Sequence, residues 1–479
     1  MLLGFVILYW VVSVAIGLWA ATRVHNTRDF AIAGRHLPIY IVTATVFATW
    51  FGAETVLGIP AAFLQEGLHG VVADPFGASL CLILVGLFFA APLYRLNLLT
   101  IGDFYRKRFG RAVEIMTTLA IVLSYLGWVG AQITALGLVF NVVSDGQISR
   151  LGGMLIGSSS ILIYTLFGGM WAVAITDFVQ MIVIMLGMLW IGGEVSGLAG
   201  GVGVVLQHAA QADKFNLWPA LDLKAVIGFT AAWVTMMLGS IPQQDVFQRI
   251  TSAKSEKIAV RGAVAGGVLY FAFAFIPMFL AYAAILIDPQ FFDELVERDS
   301  QMVLPSLILN HTPLVAQVFF FGALLSAIMS TASATLLAPS VMFTENILKH
   351  FAFGEMSDKQ LLRTMRIILL TFGILVLWFA LNSESSIFHM VENAYKVTLV
   401  GAFVPLVFGL YWPRANNQGA LLSILLGLGS WLLLELLQPD TYWPPQLAGL
   451  LMSVAGMVLG SQLPDLHRRS GSKQRHANV

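Results

Sequence analysis

"ATWFGAETVLGIP", residues 48–60, decides how the rest of the chain is read. It lies inside an apolar run, yet it carries Glu54. Gly52, Gly58 and Pro60 around that carboxylate do not favour an uninterrupted helix. Such a break is tolerable at membrane depth only where the backbone is buried in protein or lines a cavity. The stretch therefore predicts a spanning helix that unwinds at mid-depth, beside a buried acidic group.

The surrounding composition requires a membrane. The chain has 479 residues, 58% hydrophobic and 11% charged, against about 25% charged in a soluble domain. Apolar runs of roughly 18 to 30 residues recur along its length, each enough to cross a ~30 Å hydrocarbon layer as a helix. The ~10-residue alternating segments of a spanning barrel do not occur. The first run, "LLGFVILYWVVSVAIGLWAA", has no basic residue before it and reads as a retained helix rather than a signal peptide. One cysteine, Cys81, lies in an apolar run, so neither a disulfide framework nor a Cys/His metal site is expected. No nucleotide-binding glycine loop or catalytic signature is found, and the histidines show no nucleophile, base or metal spacing. An enzyme is not expected.

The length test gives about thirteen spans, near 2–22, 39–63, 73–94, 112–142, 150–167, 170–192, 223–241, 259–287, 314–346, 364–381, 387–411, 418–437 and 446–463. An N-terminus outside puts 23–38, 94–111, 242–261, 347–363, Arg414 and the segment from 464 on the cytoplasmic face. With Arg366 they hold 21 of the 26 Lys and Arg; the other face holds Arg150, Lys214, Lys224 and Arg298. That asymmetry fits the positive-inside rule, with N-terminus out and C-terminus in. We expect one all-α transmembrane domain, 1–463, and a basic cytoplasmic tail, 464–479, in the cytoplasmic (plasma) membrane.

Ionisable groups within spans mark functional interiors. Here they are Glu54, Asp177, Glu392 and Lys396. Glu392 and Lys396, spaced i, i+4, read as a self-neutralising pair or as part of a transport path. Asp177, in "GGMWAVAITDFVQ" (168–180), reads equally as a structural acceptor or an ion ligand. A second interruption is expected in "MLGSIPQQDVFQR" (237–249), at Pro242. Two broken helices about 190 residues apart point to two related halves and a midplane site. In "SAIMSTASATLLAPS" (326–340), Ser326, Ser330 and Ser333 recur at helical spacing with Thr331 and Thr335. The stripe reads either as close helix packing or as neutral oxygen ligands for a hard cation such as sodium.

Together, "AGRHLP" (33–38), "GGMWAVAITDFVQ", "IMSTASATLL" (328–337) and "GLYWPR" (409–414) resemble the sodium/solute symporter family over nearly the whole chain. The resemblance implies a leucine-transporter-type core of two inverted five-helix repeats, about 39–192 and 223–411, broken at Glu54 and Pro242. It implies a sodium site of the Ala48, Phe51 and Ala327 carbonyls with the Ser330 and Thr331 hydroxyls. A second sodium site would use Asp177 and Ser333, though Ala334 stands where the family pattern has a further serine. The "ATW" (48–50) and "LFFA" (87–90) stretches, and "IP" followed by "FQR", are similar to high-affinity choline transporter-like members. Their pocket implies substrate contacts at Trp50 and Trp128, with Gln243 in place of a third tryptophan and Gln244 beside it. Glu54, next to the break, reads as counter-charge for a cationic solute or as a carboxylate that orders the unwound segment.

The expected function is sodium-coupled uptake of a small polar organic solute by alternating access. The expected partners are that solute, Na+ and the bilayer, with no nucleic acid and no obligate protein partner. The alternatives are a proton-coupled or uniport carrier on the same fold, and a transporter-like sensor acting with a separate signalling partner.

Overall fold

The computed structural model describes residues 1–351, 356–437 and 443–464; the expected tail beyond 464 lies outside the described residues. These form helices throughout, with no strand among them. The principal elements are α1 (Leu2–Ala21), α2 (Ile39–Trp50), α3 (Ile59–Glu66), α4 (Ile101–Arg108), α5 (Arg111–Val143), α6 (Arg150–Leu198) and α7 (Leu223–Gly239). They continue with α8 (Gln244–Ser252), α9 (Glu256–Ile287), α10 (Leu314–Phe343), α11 (Asp358–Asn382), α12 (Ile387–Thr398), α13 (Asn417–Leu437) and α14 (Pro445–Gln462).

Among the described residues nine helices are long and apolar enough to cross a bilayer, ten when α7 and α8, bent by 44°, count as one span. That is fewer than the thirteen segments expected, because interruptions and fusions redistribute them. The first interrupted span contributes only the 12-residue α2 before its break, and Glu54–Arg95 runs on as 42 apolar helical residues in several pieces. α6 is 49 residues long, about 74 Å at 1.5 Å per residue, far more than one crossing. It turns at Gly169, whose φ of 48° and ψ of −141° suit glycine alone, and whose Cβ would stand 2.4 Å from the Phe30 carbonyl oxygen. The spans 150–167 and 170–192 are its two arms.

The second interrupted span overturns one expected boundary. It does not end at 241: the chain bends through Ser240–Gln243 and resumes as α8 to Ser252. Asp245 and Arg249, placed by sequence in a cytoplasmic loop, are 0% and 1% exposed. The polar run after Pro242 looks like a loop because its partners are polar groups of other helices rather than apolar ones.

A short parallel bridge joins Leu37, just before α2, to Ala253, just after α8. One broken span thus starts beside the point where the other finishes. α2 runs 12 residues from that bridge to its break, and α8 runs 9 residues from its break to the bridge. At 1.5 Å per residue these are roughly 18 and 14 Å of helix. α10 packs at the centre: every residue from Phe320 to Met342 is buried, as expected of a helix enclosed on all sides. Large apolar side chains such as Leu123, Leu186 and Trp378 are exposed on the outer helices and face the lipid.

Candidate functional site

The first break is local and well defined. Phe51 N–H still reaches Phe47 O at 2.9 Å, but Phe51 takes φ −85° and ψ 74°, and the chain leaves the helix there. Above it, Glu54–Gly58 forms a wide π-type turn leading into α3. The Ala48 carbonyl accepts from Ser330 Oγ at 2.7 Å and Thr331 Oγ1 at 3.4 Å, both on α10. Ser330 Oγ also donates to Ala327 O at 2.9 Å. Four of the five residues assigned to the first ion site therefore meet through their oxygens, and Phe51 supplies the backbone turn beside them.

Asp177 and Ser333 sit one layer away. Thr45 of α2 donates to Asp177 Oδ2, and Thr49 reaches it at 3.5 Å. Ser333 Oγ donates to Ser330 O at 3.1 Å. The two share Tyr164 as a neighbour. Arg249 then joins Thr49 to the second broken helix: its Nη2 and Nε donate to Thr49 Oγ1 at 2.7 and 3.2 Å, and its Nη1 donates to Asp245 O at 3.0 Å.

Above the hydroxyls lies an aromatic cluster. Trp50 packs edge-on against Trp128 at 5.5 Å and stacks on Tyr395 at 6.2 Å; Trp128 stacks on Tyr125 at 6.2 Å. Glu54, 1% exposed, accepts from Trp128 Nε1 at 3.0 Å and Gln132 Nε2 at 2.7 Å. Gln132 Oε1 accepts from Ala53 N–H at 2.9 Å. This amide thus binds both the carboxylate and the backbone at the point where the helix resumes. Gln243 enters the same region from the second break and donates to Ser124 Oγ at 2.9 Å. Gln244 does not join it: its Oε1 accepts from Ile101 N–H at the start of α4, at 2.9 Å.

The proposed Glu392–Lys396 pair is not formed. Glu392 faces His389 Nδ1 at 3.3 Å, and no ion pair joins it to Lys396 among the described residues. One helical turn separates them, but Glu392 turns toward a cavity of about 380 Å³ lined also by Glu66, His69, His389 and Phe388. Nearby, Lys214 Nζ donates to the Leu64 and Gln65 carbonyls at 2.6 and 3.3 Å, closing the end of α3. Burial holds its ammonium below the usual lysine range.

Sequence reasoning missed Tyr125, Gln132, Tyr395, Asp245 and Arg249. It also missed Asp74, 2% exposed, which accepts from Tyr270; the Tyr270 hydroxyl lies 3.1 Å from Thr55 Oγ1. The i, i+4 spacing of Asp245 and Arg249 just after Pro242 was the available signal.

An all-helical, multi-pass membrane protein with two broken helices meeting around buried polar groups has the build of a secondary transporter. The chain belongs to the sodium:solute symporter family, whose model matches residues 30–427. Over 446 residues it is 28% identical to the high-affinity choline transporter 1 of Torpedo marmorata, covering 88% of this chain and 74% of that one. The osmoregulated proline transporter OpuE of Bacillus subtilis is 25% identical over 452 residues, 88% of this chain and 86% of that one. A solved Na+-coupled sialic acid symporter, substrate-bound and outward-open, superposes with a TM-score of 0.82 at 20% identity, covering 97% and 98% of the two chains. That likeness is one of fold.

Proposed function

We propose that this chain couples the inward movement of sodium to uptake of a small polar organic solute across the plasma membrane. It does so by alternating access, with its N-terminus outside and C-terminus in the cytoplasm. Its spans, thirteen when the segments around the breaks and the two arms of α6 are counted apart, form one domain, 1–463, with inverted repeats at about 39–192 and 223–411. Sodium is held by the Ala48, Phe51 and Ala327 carbonyls and the Ser330 and Thr331 hydroxyls. Asp177 and Ser333 serve a second ion if one is carried. The solute lies against Trp50, Trp128, Glu54 and Gln243, with Gln244 anchoring the second broken helix beneath it.

The observation that carries this reading is the approach of two buried α10 hydroxyls to the Ala48 carbonyl at the first break. Neutral oxygens hold a hard monovalent ion weakly enough for release, and the ion would draw α10 onto the broken helix. One charge crossing 100 mV is worth ~2.3 kcal/mol, and a tenfold sodium gradient adds ~1.4 kcal/mol. One ion therefore suffices for substantial accumulation.

Uptake into proteoliposomes with an inward sodium gradient tests the reading. Choline, betaines, amino acids, small carboxylates, pantothenate and sugars would be screened. Sodium-driven accumulation that is lost in Ser330→Ala/Thr331→Ala is expected. Accumulation driven equally by a proton gradient and untouched by that double substitution would overturn it. It would favour the proton-coupled alternative, for which Glu54 is the buried carboxylate in place.

A further inference from the structure

The second broken helix carries a carboxylate that sodium binding does not use. Asp245 is fully buried in the first turn of α8. The Tyr125 hydroxyl donates to its Oδ1 at 2.5 Å and accepts from its backbone N–H at 2.8 Å. Its Oδ2 has no partner among the described residues. Arg249 does not consume it, because that guanidinium is spent on Thr49 Oγ1 and on the Asp245 backbone carbonyl.

Two more oxygens nearby are in the same condition. The Tyr395 hydroxyl, fully buried, has no partner among the described residues and lies within electrostatic reach of both Asp245 and Glu54. Gln243 Oε1 is also unpartnered, and its orientation is fixed by chemistry. Ser124 Oγ donates to Ile121 O and Thr398 Oγ1 donates to Gly239 O, so each can only accept from the Gln243 amide. Its Nε2 therefore faces them, at 2.9 and 3.5 Å, and its Oε1 faces away. Buried polar atoms left without a partner are rare and costly; Tyr395 is itself a ring of the aromatic cluster, Tyr125 of that cluster holds Asp245, and Ser124 beside Tyr125 holds Gln243.

The charge balance points the same way. Glu54, Asp74, Asp177 and Asp245 are buried between the broken helices and their neighbours, and among the described residues one buried guanidinium, Arg249, stands against them. Sodium offsets part of the excess. A ligand supplying both positive charge and N–H donors would answer the remainder and pair Asp245 Oδ2 and Gln243 Oε1, with the Tyr395 hydroxyl able to accept from it as well.

We propose that this site takes a small organic solute whose ammonium group bears N–H, a primary or secondary amine or amino acid, with Asp245 Oδ2 accepting from the ammonium and the rings beside its carbons. This names the substrate class of the symport reading and rests on it. A quaternary ammonium could use the ring faces but has no N–H to give, and would leave the acceptors unpaired. A site built around hydrogen bonds rejects an analogue lacking the donor far more strongly than an apolar pocket rejects a methyl group.

Two methylation ladders on purified protein test this. One is ethanolamine, N-methylethanolamine, N,N-dimethylethanolamine and choline. The other is glycine, N-methylglycine, N,N-dimethylglycine and glycine betaine. Thermal stabilisation is titrated with each in sodium. Apparent affinity is expected to fall as N–H groups are replaced, by at least about tenfold at the quaternary step. The slope should vanish in Asp245→Asn and persist in Asp245→Glu, which keeps the charge and controls for folding. Choline or betaine binding as tightly as its N–H homologues, binding by no amine of either ladder, or an unchanged slope in Asp245→Asn would each overturn the assignment. Repeating the titration with potassium in place of sodium separates the two readings. Amine binding equally strong in potassium would sink sodium coupling and leave the amine site standing. Loss of the amine slope with sodium stabilisation intact would do the reverse.

Discussion

At Gly52 the place where a side chain would begin is ringed by oxygens. A Cβ there would stand 2.6 Å from Glu54 Oε2, 2.6 Å from Thr331 Oγ1 and 3.0 Å from Gln132 Oε1. Glu54, in the proposed substrate site, and Thr331, in the proposed ion site, thus meet across one bare backbone position. Overpacking of this kind costs about 1–3 kcal/mol, and here it would fall on both groups. Gly52→Ala should weaken the apparent sodium affinity roughly tenfold, read as sodium-dependent thermal stabilisation; an unchanged sodium response would place Thr331 outside the ion site. Gly169→Ala combines a left-handed backbone with a Cβ pressed on Phe30 O. It should cost about 1–3 kcal/mol and lower the monodisperse fraction on size exclusion. At this scale the sequence exposed what was out of place in apolar runs: Glu54, Asp177 and the α10 hydroxyls. It hid Asp245 and Arg249, whose neighbours Gln243, Gln244, Gln248 and Thr251 are polar too, so neither stood out. Gly52 showed only that a helix would break, not which groups would close around it.

The two broken spans form one device, because Arg249 at the end of one binds Thr49 near the break of the other. A buried guanidinium withdrawn from its partners leaves Asp177 and Asp245 without their nearby positive charge. Arg249→Met should destabilise the protein by about 3–5 kcal/mol. Arg249→Lys should not restore it, since one ammonium cannot reproduce a planar fork donating to Thr49 and the Asp245 carbonyl at once. Thermal unfolding in detergent compares the three; a stable Arg249→Met would mean that the two spans are held together elsewhere. Both interruptions were legible from glycine and proline beside mid-membrane polar residues. The far limit of the second was not, since nothing local separates a buried polar half-helix from a loop. The Glu392–Lys396 pair failed for a related reason: spacing on one helix gives proximity, but the open cavity beside Glu392 and His389 decides where the carboxylate turns.

Across the whole molecule the strongest sequence signal was the distribution of Lys and Arg, which implies an N-terminus outside. Cys81 is fully buried, so surface cysteines can be read against a quiet background. Leu221→Cys, at a fully exposed position before α7, should react with a membrane-impermeant maleimide in intact cells. Lys257→Cys, exposed at the start of α9, should react only after permeabilisation. The opposite pattern would invert the proposed topology. The long apolar spans followed from composition alone. The meeting of the two broken spans did not, because the Leu37–Ala253 bridge joins residues far apart in the chain.

The indole N–H of Trp128 rests on Glu54 at 3.0 Å, and its ring lies 5.5 Å from Trp50. Indole emission responds to a neighbouring charge and to the polarity around the ring. A cation or solute arriving between these groups would change both at once, in two of the protein's 12 tryptophans. With the site as proposed, the protein contains its own optical reporter of occupancy. With the remaining ten replaced by phenylalanine, changes in its ultraviolet emission would time the arrival of ion and solute without any attached dye.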